Sequence, residues 1–521
     1  MRSLYVLLAV SSVLSAALGQ SYLGRVDTIG GTTYDWQSTL GVVRMLVNSP
    51  DYGLHAAWLW SGDTAGASGL NMRYNFYDYD TRRWNWIDPD FMQSGGSVFM
   101  ERTGFGNIDA DPHTGAAAFC GYAGTSALWP IVARDVGPGA GIFEFCNGPE
   151  GYLWPRVAID SQGTFHIAMS EQAAYIGVRY SRIRTWGVWD SVTQPGDTAA
   201  PAYSVVASRH DDKVCVEWAR HDSSSLSWRV FYVLSTDAGE TWNTAVEVPT
   251  PTAFGGDTAT IFSWAGPFPF FDDESRLHLM AAVEPVVHET AYVMPAEIWH
   301  WCADNEPDWA EVHRAACDPQ QLQAPLGHNV IYADRPSIGQ GAGGRLYVSW
   351  EQFDSSNVEP QTNLLRAGIW AASSADNGAS WTPGVLLTER NTVSHRYPCV
   401  VDRTMNGGPA GDTVTVLFLA DQVAGSALYN QGPFTRNPVI CQFVPAPLIG
   451  VSERDATASR PAARGLLPTI MRRLPAGAVA FDAMGRMVVN PKPGVYFVRT
   501  EPSAASRQPS AVIVRKVVIQ K

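Results

Sequence analysis

Arginines and carboxylates recur at matching positions of a repeated pattern in this chain. A copy of the pattern consists of an aromatic residue or proline, an apolar strand, a polar turn, a second apolar strand and a polar or acidic residue. The clearest copies begin at Trp154 and at Arg335. Three arginines lie near the start of the first strand and four carboxylates follow the second, namely Arg156, Arg335, Arg396, Glu171, Glu284, Glu351 and Asp421. Glu217 lies close to the same position in another copy.

These residue types suit the binding or cleavage of a polar ligand. Guanidinium groups bind carboxylate and hydroxyl groups through two parallel hydrogen bonds. Two carboxyl groups roughly 5–9.5 Å apart can hydrolyse a glycosidic bond, so the four carboxylates are candidate catalytic residues and the three arginines candidate ligand-binding residues. The alternative is that these charges are solvated and form local ion pairs, because a fold does not by itself imply a function.

The elements that must position these side chains are antiparallel strands. In such a sheet the first strand starts at the edge where the second ends, so the charged residues are expected to ring one mouth of a central channel. Weaker copies begin near Val42, Asn107, Ala202, Pro267 and Tyr397, which makes seven units spaced about 47–68 residues apart. Repeats of this kind are typical of four-stranded propeller blades. We predict an all-β propeller over residues 20–450, with six or seven blades and seven favoured.

Two eight-residue stretches, 139 residues apart, fit the pattern S-x-D-x-G-x-x-W. Aspartate bonds the backbone of its own turn, glycine adopts positive φ, and tryptophan folds back as an apolar anchor. A degenerate copy keeps only Asp304 and Trp309. The residues of the two complete copies are Ser235, Asp237, Gly239 and Trp242, then Ser374, Asp376, Gly378 and Trp381. The pattern resembles the Asp box, or BNR repeat, of sialidase-like β-propellers, and we expect its tryptophans to pack between blades.

The resemblance implies a site that this sequence matches only in part. Sialidases bind the substrate carboxylate with three arginines and use a tyrosine–glutamate nucleophile pair and an aspartate acid/base. Their Arg-Ile-Pro near the first blade is absent; Arg396-Tyr-Pro398 has its spacing but lies in the last unit, and Arg335 directly precedes proline. The leading prediction is recognition of an extracellular glycan or macromolecule. The alternatives are a sialidase-type exo-glycosidase and an architectural surface protein without a pocket.

The two ends of the chain predict export. Met1-Arg2, an apolar run from Leu4 to Leu14 and small residues near position 19 indicate a signal peptide over residues 1–19. No later apolar run approaches the length of a transmembrane helix, so no transmembrane segment is predicted. An extracellular or cell-surface location follows.

The last 76 or so residues differ in composition from the repeats. They predict a linker over 451–465 and a small β module over 466–521. Three blocks occur in order: Phe481-Asp482 with Gly485-Arg486, Gly494 to Arg499, and Arg515 to Lys521. They resemble the C-terminal sorting domain of bacterial type IX secretion. That resemblance implies a β-sandwich-like module and, as a partner, the outer-membrane secretion machinery. The alternative is an accessory β module with no role in sorting.

Charge and cysteine usage exclude other functions. Residues 451–521 carry a formal net charge of +8 and residues 1–19 carry +1, which leaves −22 for residues 20–450 and argues against nucleic-acid binding. The seven cysteines form no CxxC motif; Cys302 and Cys317 are either a bridge or small buried residues. Asp-rich loops at 109–111 and 272–274 could hold Ca²⁺ but fit ordinary turns better, so no cofactor or metal is predicted.

Overall fold

The structure is a computed structural model. It describes residues 22–450 apart from residues 39–40, 66–68, 125, 174–176, 197–201, 222–226, 255–258, 263, 265, 288–289, 306, 391 and 407–410, and after residue 468 it describes the backbone of five strands. The predicted signal peptide (1–19) and linker (451–465) lie outside the described residues. Contacts divide the chain into two units, Met1–Ser452 and Glu453–Lys521.

Seven antiparallel sheets make up the first unit. Strand β1 (Arg25–Thr32) belongs to the last of them. Blade 1 contains β2 (Leu46–Ser49), β3 (Gly53–Trp60), β4 (Asn71–Asp78), β5 (Arg83–Trp84) and β6 (Gly96–Ser97). Blade 2 contains β7 (Ile108–Ala110), β8 (Ala117–Gly124), β9 (Leu128–Asp135) and β10 (Phe143–Asn147). Blade 3 contains β11 (Tyr152–Ile159), β12 (Phe165–Glu171) and β13 (Val178–Ile183).

The remaining blades follow in chain order. Blade 4 contains β14 (Tyr203–Ala207), β15 (Val214–His221), β16 (Trp228–Ser235) and β17 (Val246–Val248). Blade 5 contains β18 (Ala259–Ile261), β19 (Phe268–Phe271), β20 (Leu277–Val287), β21 (Thr290–Ala291), β22 (Ala296–Cys302) and β23 (Trp309–Ala315). Blade 6 contains β24 (Ala333–Gln340), β25 (Leu346–Val358), β26 (Leu365–Ser374) and β27 (Val385–Leu386). Blade 7 contains β28 (Ser394–Val400), β29 (Thr413–Asp421) and β30 (Asn437–Pro445), with β1.

Blade 7 closes the ring. Strand β1 pairs with β30 in a register that places Arg25 opposite Phe443 and Thr32 opposite Asn437. One sheet thus combines an early strand with three late ones, and ring closure leaves only short sheet edges. The prediction of an all-β propeller with seven blades is confirmed. Between strands the described residues form only short 3₁₀ turns, at Phe91–Gln93, Pro319–Gln321, Ala342–Gly344, Ala427–Tyr429 and Ala446–Leu448. None of the described helices is long and apolar enough to cross a membrane.

The core lies between the blades, because the inner strands are covered on both faces. All eight residues of β24 are buried. Trp58, Trp218 and Trp350 occupy similar places on the second strands of blades 1, 4 and 6 and are 2% exposed or less. Burying a large aromatic side chain removes about 150–250 Å² from water, so these residues contribute strongly to stability. All seven cysteines are free thiols, and Cys302 and Cys317 form no bridge.

Each of the two S-x-D-x-G-x-x-W turns connects two strands of one blade and packs against the preceding blade. Gly239 N donates to Ser235 Oγ at 2.8 Å, and Gly378 N donates to Ser374 Oγ at the same distance. Trp242 packs edge-on against Tyr180 of blade 3 with 4.8 Å between ring centres. The two tryptophans thus lie between blades, as expected, since Trp381 packs in the same way against His300 of blade 5 at 5.4 Å.

Buried histidines connect neighbouring strands within several blades. His55, His166 and His278 each lie near the start of a strand, and each contacts a ring on the strand paired next to it: Tyr74 at 2.8 Å, Tyr180 at 2.7 Å and His300 at 2.9 Å. Ser49, Asp160 and Asp272 bind the other ring nitrogen from the preceding turn. These histidines are therefore built into the blades.

The second unit is one five-stranded sheet. Its order is β31 (Thr469–Met471), β35 (Ile513–Ile519), β34 (Gly494–Thr500), β32 (Val479–Phe481) and β33 (Met487–Val488). The pair β31–β35 is parallel and the other pairs are antiparallel. The second C-terminal block lies in β34 and residues 515–519 of the third lie in β35, whereas residues 482–486 of the first block and 520–521 of the third lie outside the described residues.

Candidate ligand-binding mouth of the propeller

Three inner strands carry the same irregularity, an X-Pro step that interrupts pairing with the next strand. The register shifts between Leu153 and Arg156, between Asp334 and Ser337, and between Arg396 and Cys399. The residue before each proline has positive φ: 51° at Trp154, 51° at Arg335 and 57° at Tyr397. Such conformations are uncommon for non-glycine residues and concentrate at functional sites.

The bulge defines where each of the three arginines lies in the repeat. Counted from the proline, Arg335 corresponds to Trp154 and Tyr397, Arg396 corresponds to Leu153 and Asp334, and Arg156 corresponds to Ser337 and Cys399. The three arginines therefore occupy three different positions of the repeat. The residue added by a bulge re-aims side chains, and the strand pattern alone did not reveal it.

Arg335 and Arg396 meet at one carboxylate. Arg335 Nη1 lies 2.6 Å from Glu351 Oε1, and Arg396 Nε lies 3.1 Å from the same oxygen. Tyr397 N donates to Glu351 Oε2 at 2.7 Å, and Arg335 also pairs with Asp334 at 3.0 Å. The four charged residues are 5% exposed or less. We call Asp334, Arg335, Glu351 and Arg396 the ionic cluster; it connects blade 6 to blade 7.

Burial and neighbouring charges perturb the acids of this mouth. Burial raises the pKa of Glu351, but the charges of Arg396 and Arg335 outweigh it and hold that pKa below its ordinary value. Burial raises the pKa of Asp334 to about 6 despite Arg335, and burial with the charge of Asp334 raises the pKa of Glu284 to about 7. Burial and then the charge of Asp35 raise the pKa of Asp421 well above its ordinary value. Several carboxyls here thus bind protons near neutral pH.

Arg156, Glu171 and Glu217 do not join the cluster. Arg156 Nη1 donates to the carbonyl of Pro155 at 3.2 Å. Glu217 is buried, its carboxyl oxygens have no hydrogen-bond partner among the described residues, and burial raises its pKa well above the ordinary value. Glu171 pairs with Arg179 at 2.6 Å near the surface. The structure therefore brings two of the three predicted arginines together.

Four aromatic rings converge above the ionic cluster. His328 stacks on Tyr429 with 3.7 Å between ring centres, and Trp36 lies 5.0 Å from Tyr429 and 6.1 Å from Tyr397. The Arg335 guanidinium lies 4.7 Å from the ring centre of Tyr397. Tyr429 is 38% exposed, so the group reaches the surface. We call these four rings the aromatic platform.

Sequence reasoning missed this platform because three of its members lie in irregular segments. Trp36 belongs to residues 33–38, which follow β1, and His328 precedes β24. Residues 33–38 are buried, and Asp35 accepts hydrogen bonds from Ser426 Oγ at 3.2 Å and from Ala427 N at 2.5 Å. This segment packs in the mouth over the ionic cluster. A small cavity of about 30 Å³ remains beneath it, lined in part by Gln37, Trp58 and Arg335.

The cluster differs from a tyrosine–glutamate nucleophile pair. Glu351 accepts from the backbone N–H of Tyr397. Burial raises the pKa of the Tyr397 phenol in spite of Arg335 and Arg396, so the phenol keeps its proton at neutral pH. The nucleophile that the family resemblance implies is not formed by these residues.

Acids of both Asp-rich loops have partners within the protein. Asp109 pairs with Arg209, and Asp272 pairs with Arg276 at 2.6 Å and with His278 at 3.2 Å. Among the described residues, no group of three histidine, cysteine, aspartate or glutamate side chains could hold a metal ion.

No protein-family model and no curated protein sequence matches this chain. Solved structures similar to it include an ulvan lyase from a new family of polysaccharide lyases, at 10% identity and a TM-score of 0.45, covering 78% of this chain and 95% of that one. An α-L-arabinanase from Penicillium chrysogenum, complexed with arabinobiose, shows 11% identity, a TM-score of 0.38 and coverage of 78% and 98%. A Hadza microbial sialidase shows 12% identity, a TM-score of 0.35 and coverage of 73% and 74%.

Proposed function

We propose that this chain is an exported β-propeller that binds an extracellular glycan at the aromatic platform. The observation that carries the proposal is the convergence of Trp36, His328, Tyr397 and Tyr429 at one mouth, with Tyr429 exposed. Ligand sites combine apolar and aromatic walls with a few polar groups, and the C–H faces of sugars pack on aromatic rings while the hydroxyls find polar partners.

The ionic cluster supports the platform from below. Arg335 lies within 5.7 Å of the Trp36 ring centre and 4.7 Å of that of Tyr397, while its Nη1 is held by Glu351. Arg335 and Arg396 are buried and already paired with a carboxylate of the protein. They are therefore better suited to hold the platform rings in place than to bind a carboxylate of the ligand. This arrangement favours neutral over strongly anionic sugars as ligands.

Glycan-array binding followed by calorimetry with the purified protein tests the proposal. Tyr429→Ala should weaken binding of the best array ligand about tenfold, since packing on one exposed ring contributes on the order of 1 kcal/mol. Tyr292→Ala is the matched control because Tyr292 is 47% exposed and makes no ring contact with the platform among the described residues. Equal affinities of the two variants would refute binding at the platform.

A sialidase-type exo-glycosidase is the second candidate, favoured by one observation. Glu284 and Asp334 are close enough for the charge of Asp334 to raise the pKa of Glu284, and their pKa values of about 7 and about 6 suit an acid and a base near neutral pH. Release of terminal sugars, with sialosides among the substrates, tests it. Glu284→Gln should abolish any hydrolysis and leave glycan binding intact; a wild-type protein without hydrolysis supports recognition alone.

Export through the type IX system is part of the proposal and rests on the residues at the two ends of the chain. Deletion of residues 466–521 should leave the propeller in the periplasm of a type IX-competent host. Normal export of that truncated chain would refute the sorting role.

The architectural alternative predicts no pocket, whereas the structure contains one of about 490 Å³.

A further inference from the structure

A basin of about 490 Å³ occupies the opposite mouth of the channel. Six of the seven blades contribute to its wall, each near the end of its first strand or the start of its second, as at Ser49, Ala110 and Gln340. The aromatic platform lies instead beside the starts of the first strands, at Arg335 and Tyr397. The basin is therefore separate from the proposed glycan site, and the inference below does not depend on that site. Its size is that of a pocket for a small molecule or a short oligosaccharide.

Acidic side chains outnumber basic ones in the wall of the basin. It contains five aspartates, Asp51, Asp111, Asp273, Asp402 and Asp412, and three basic side chains, Arg209, Arg403 and His210, of which His210 lies 3.3 Å from Asp273. Both arginines are engaged by the protein: Arg403 Nε binds Asp273 at 2.7 Å, and Arg209 binds Asp109. Within the described part of the chain, Asp51, Asp111 and Asp412 have no cationic partner. An anionic ligand would meet repulsion here, whereas a cationic ligand would be attracted.

A buried amide gives independent evidence of a ligand with hydrogen-bond acceptors. Gln340 lines the basin and is 0% exposed. Its Oε1 accepts from Asp273 N at 2.8 Å, but its Nε2 has no hydrogen-bond partner among the described residues. Leaving such a donor unsatisfied costs about 1–3 kcal/mol. A ligand oxygen in the basin would satisfy it.

We infer that this basin binds an amino sugar, as the monomer or as a short oligosaccharide. Ammonium groups would pair with Asp51 and Asp111, a hydroxyl would accept from Gln340 Nε2, and a sugar face would pack on Tyr52, which is 44% exposed at the rim. A lysine side chain would satisfy the carboxylates but offers neither hydroxyl groups nor a ring face. The combination of carboxylates, donor and aromatic ring therefore favours the sugar over a basic peptide.

Calorimetry on the full chain with a glucosamine trimer at about pH 6, where amines of this type are protonated, tests the inference. We expect the N-acetylated trimer, which lacks the charge, to bind at least tenfold more weakly, and affinity for the glucosamine trimer to fall as salt rises. The double variant Asp51→Asn, Asp111→Asn should lose at least tenfold in affinity. Glu150→Gln, which removes an exposed acid outside the basin, should bind as the wild type does.

Three results would overturn the inference. They are equal binding of the two trimers, unchanged affinity in the double variant, and binding of a lysine trimer as tight as that of the glucosamine trimer. Asp51 is exposed and Asp111 is partly exposed, so both substitutions are expected to leave folding intact. A melting temperature measured for each variant verifies this, and Tyr52→Ala provides a second test that changes no charge.

Discussion

The Nη1 of Arg335 lies 2.6 Å from Glu351 Oε1, and both side chains are 2% exposed or less. The pair joins neighbouring strands of blade 6, and Glu351 also binds Arg396 of blade 7. Taking charges out of water is costly, and their pairing offsets that cost only when the geometry is complete. Three of the predicted charged residues, Arg335, Glu351 and Arg396, thus form a buried junction between blades.

Removing one partner from this junction should unfold the propeller more easily. Arg335→Met leaves Glu351 and Asp334 in the interior with less positive charge, and we expect a loss of about 3–5 kcal/mol in the free energy of unfolding. Urea unfolding measures it. Arg102→Met, at an exposed arginine, is the control and should change stability by about 0.5 kcal/mol or less. A loss below about 1 kcal/mol in Arg335→Met would contradict the role assigned to the cluster.

Gly378 should be essential for the contact between blades 5 and 6. It has φ +78°, and a Cβ at this position would lie 2.1 Å from the His300 ring. Gly343 has φ +68° with open space around it, so Gly343→Ala carries only the conformational cost of about 1–2 kcal/mol. Gly378→Ala should lose a further 1–3 kcal/mol or so through overpacking. Equal losses of thermal stability in the two variants would show that the contact with His300 is unimportant.

Buried histidines should make the propeller sensitive to acid. Burial lowers the pKa of His55 and of His395 to about 3. Between about pH 6.5 and pH 3 the unfolded chain binds these protons and the folded chain does not, so the contribution of these two histidines to stability is full above pH 6.5 and is lost as the pH is lowered. Each histidine contributes a loss of about 1.4 kcal/mol per pH unit within this window.

Urea unfolding at pH 7 and pH 5 measures this effect. His55→Gln lowers stability at both pH values because it disturbs the bonds to Tyr74 and Ser49. Between pH 7 and pH 5 the free energy of unfolding of this variant should nevertheless fall by about 2 kcal/mol less than that of the wild type. His221→Gln, at an exposed position, should retain the wild-type pH dependence. An unchanged slope in His55→Gln would mean that His55 is protonated in the folded state.

The repeat could be predicted because each blade is built from a local alternation of apolar strands and polar turns. Seven copies of one strand–turn–strand pattern mark seven sheets, and Trp242 and Trp381 keep a fixed offset from their turns because they fill the same space between blades. The bulge could not be predicted, since a single added residue at Arg335-Pro336 or Tyr397-Pro398 shifts which side chains face each other without altering the apolar pattern.

The aromatic platform and the burial of the ionic cluster depend on contacts across the whole chain. Trp36 and Tyr429 are almost 400 residues apart, and neither belongs to the repeat. The strand pattern placed Arg335 and Glu351 at a rim, but residues 33–38 cover them, and no local signal marks a loop as a cover. Long-range packing of irregular segments is thus the part of this site that sequence patterns leave open.

Glu284 should lower the stability of the fold as the pH rises, whereas the buried histidines lower it as the pH falls. Burial and the charge of Asp334 raise its pKa to about 7, above the ordinary value of 4.5. The folded chain therefore retains a proton that the unfolded chain has lost, so stability falls as the pH rises from about 4.5 through 7. Glu284→Gln removes this titration, and between pH 5 and pH 8 the variant should gain about 2–3 kcal/mol relative to the wild type. Glu150→Gln controls for the loss of a carboxyl group at an exposed position. A difference between Glu284→Gln and wild type that is independent of pH would show that Glu284 ionises normally, and it would also remove the acid on which the hydrolase alternative depends.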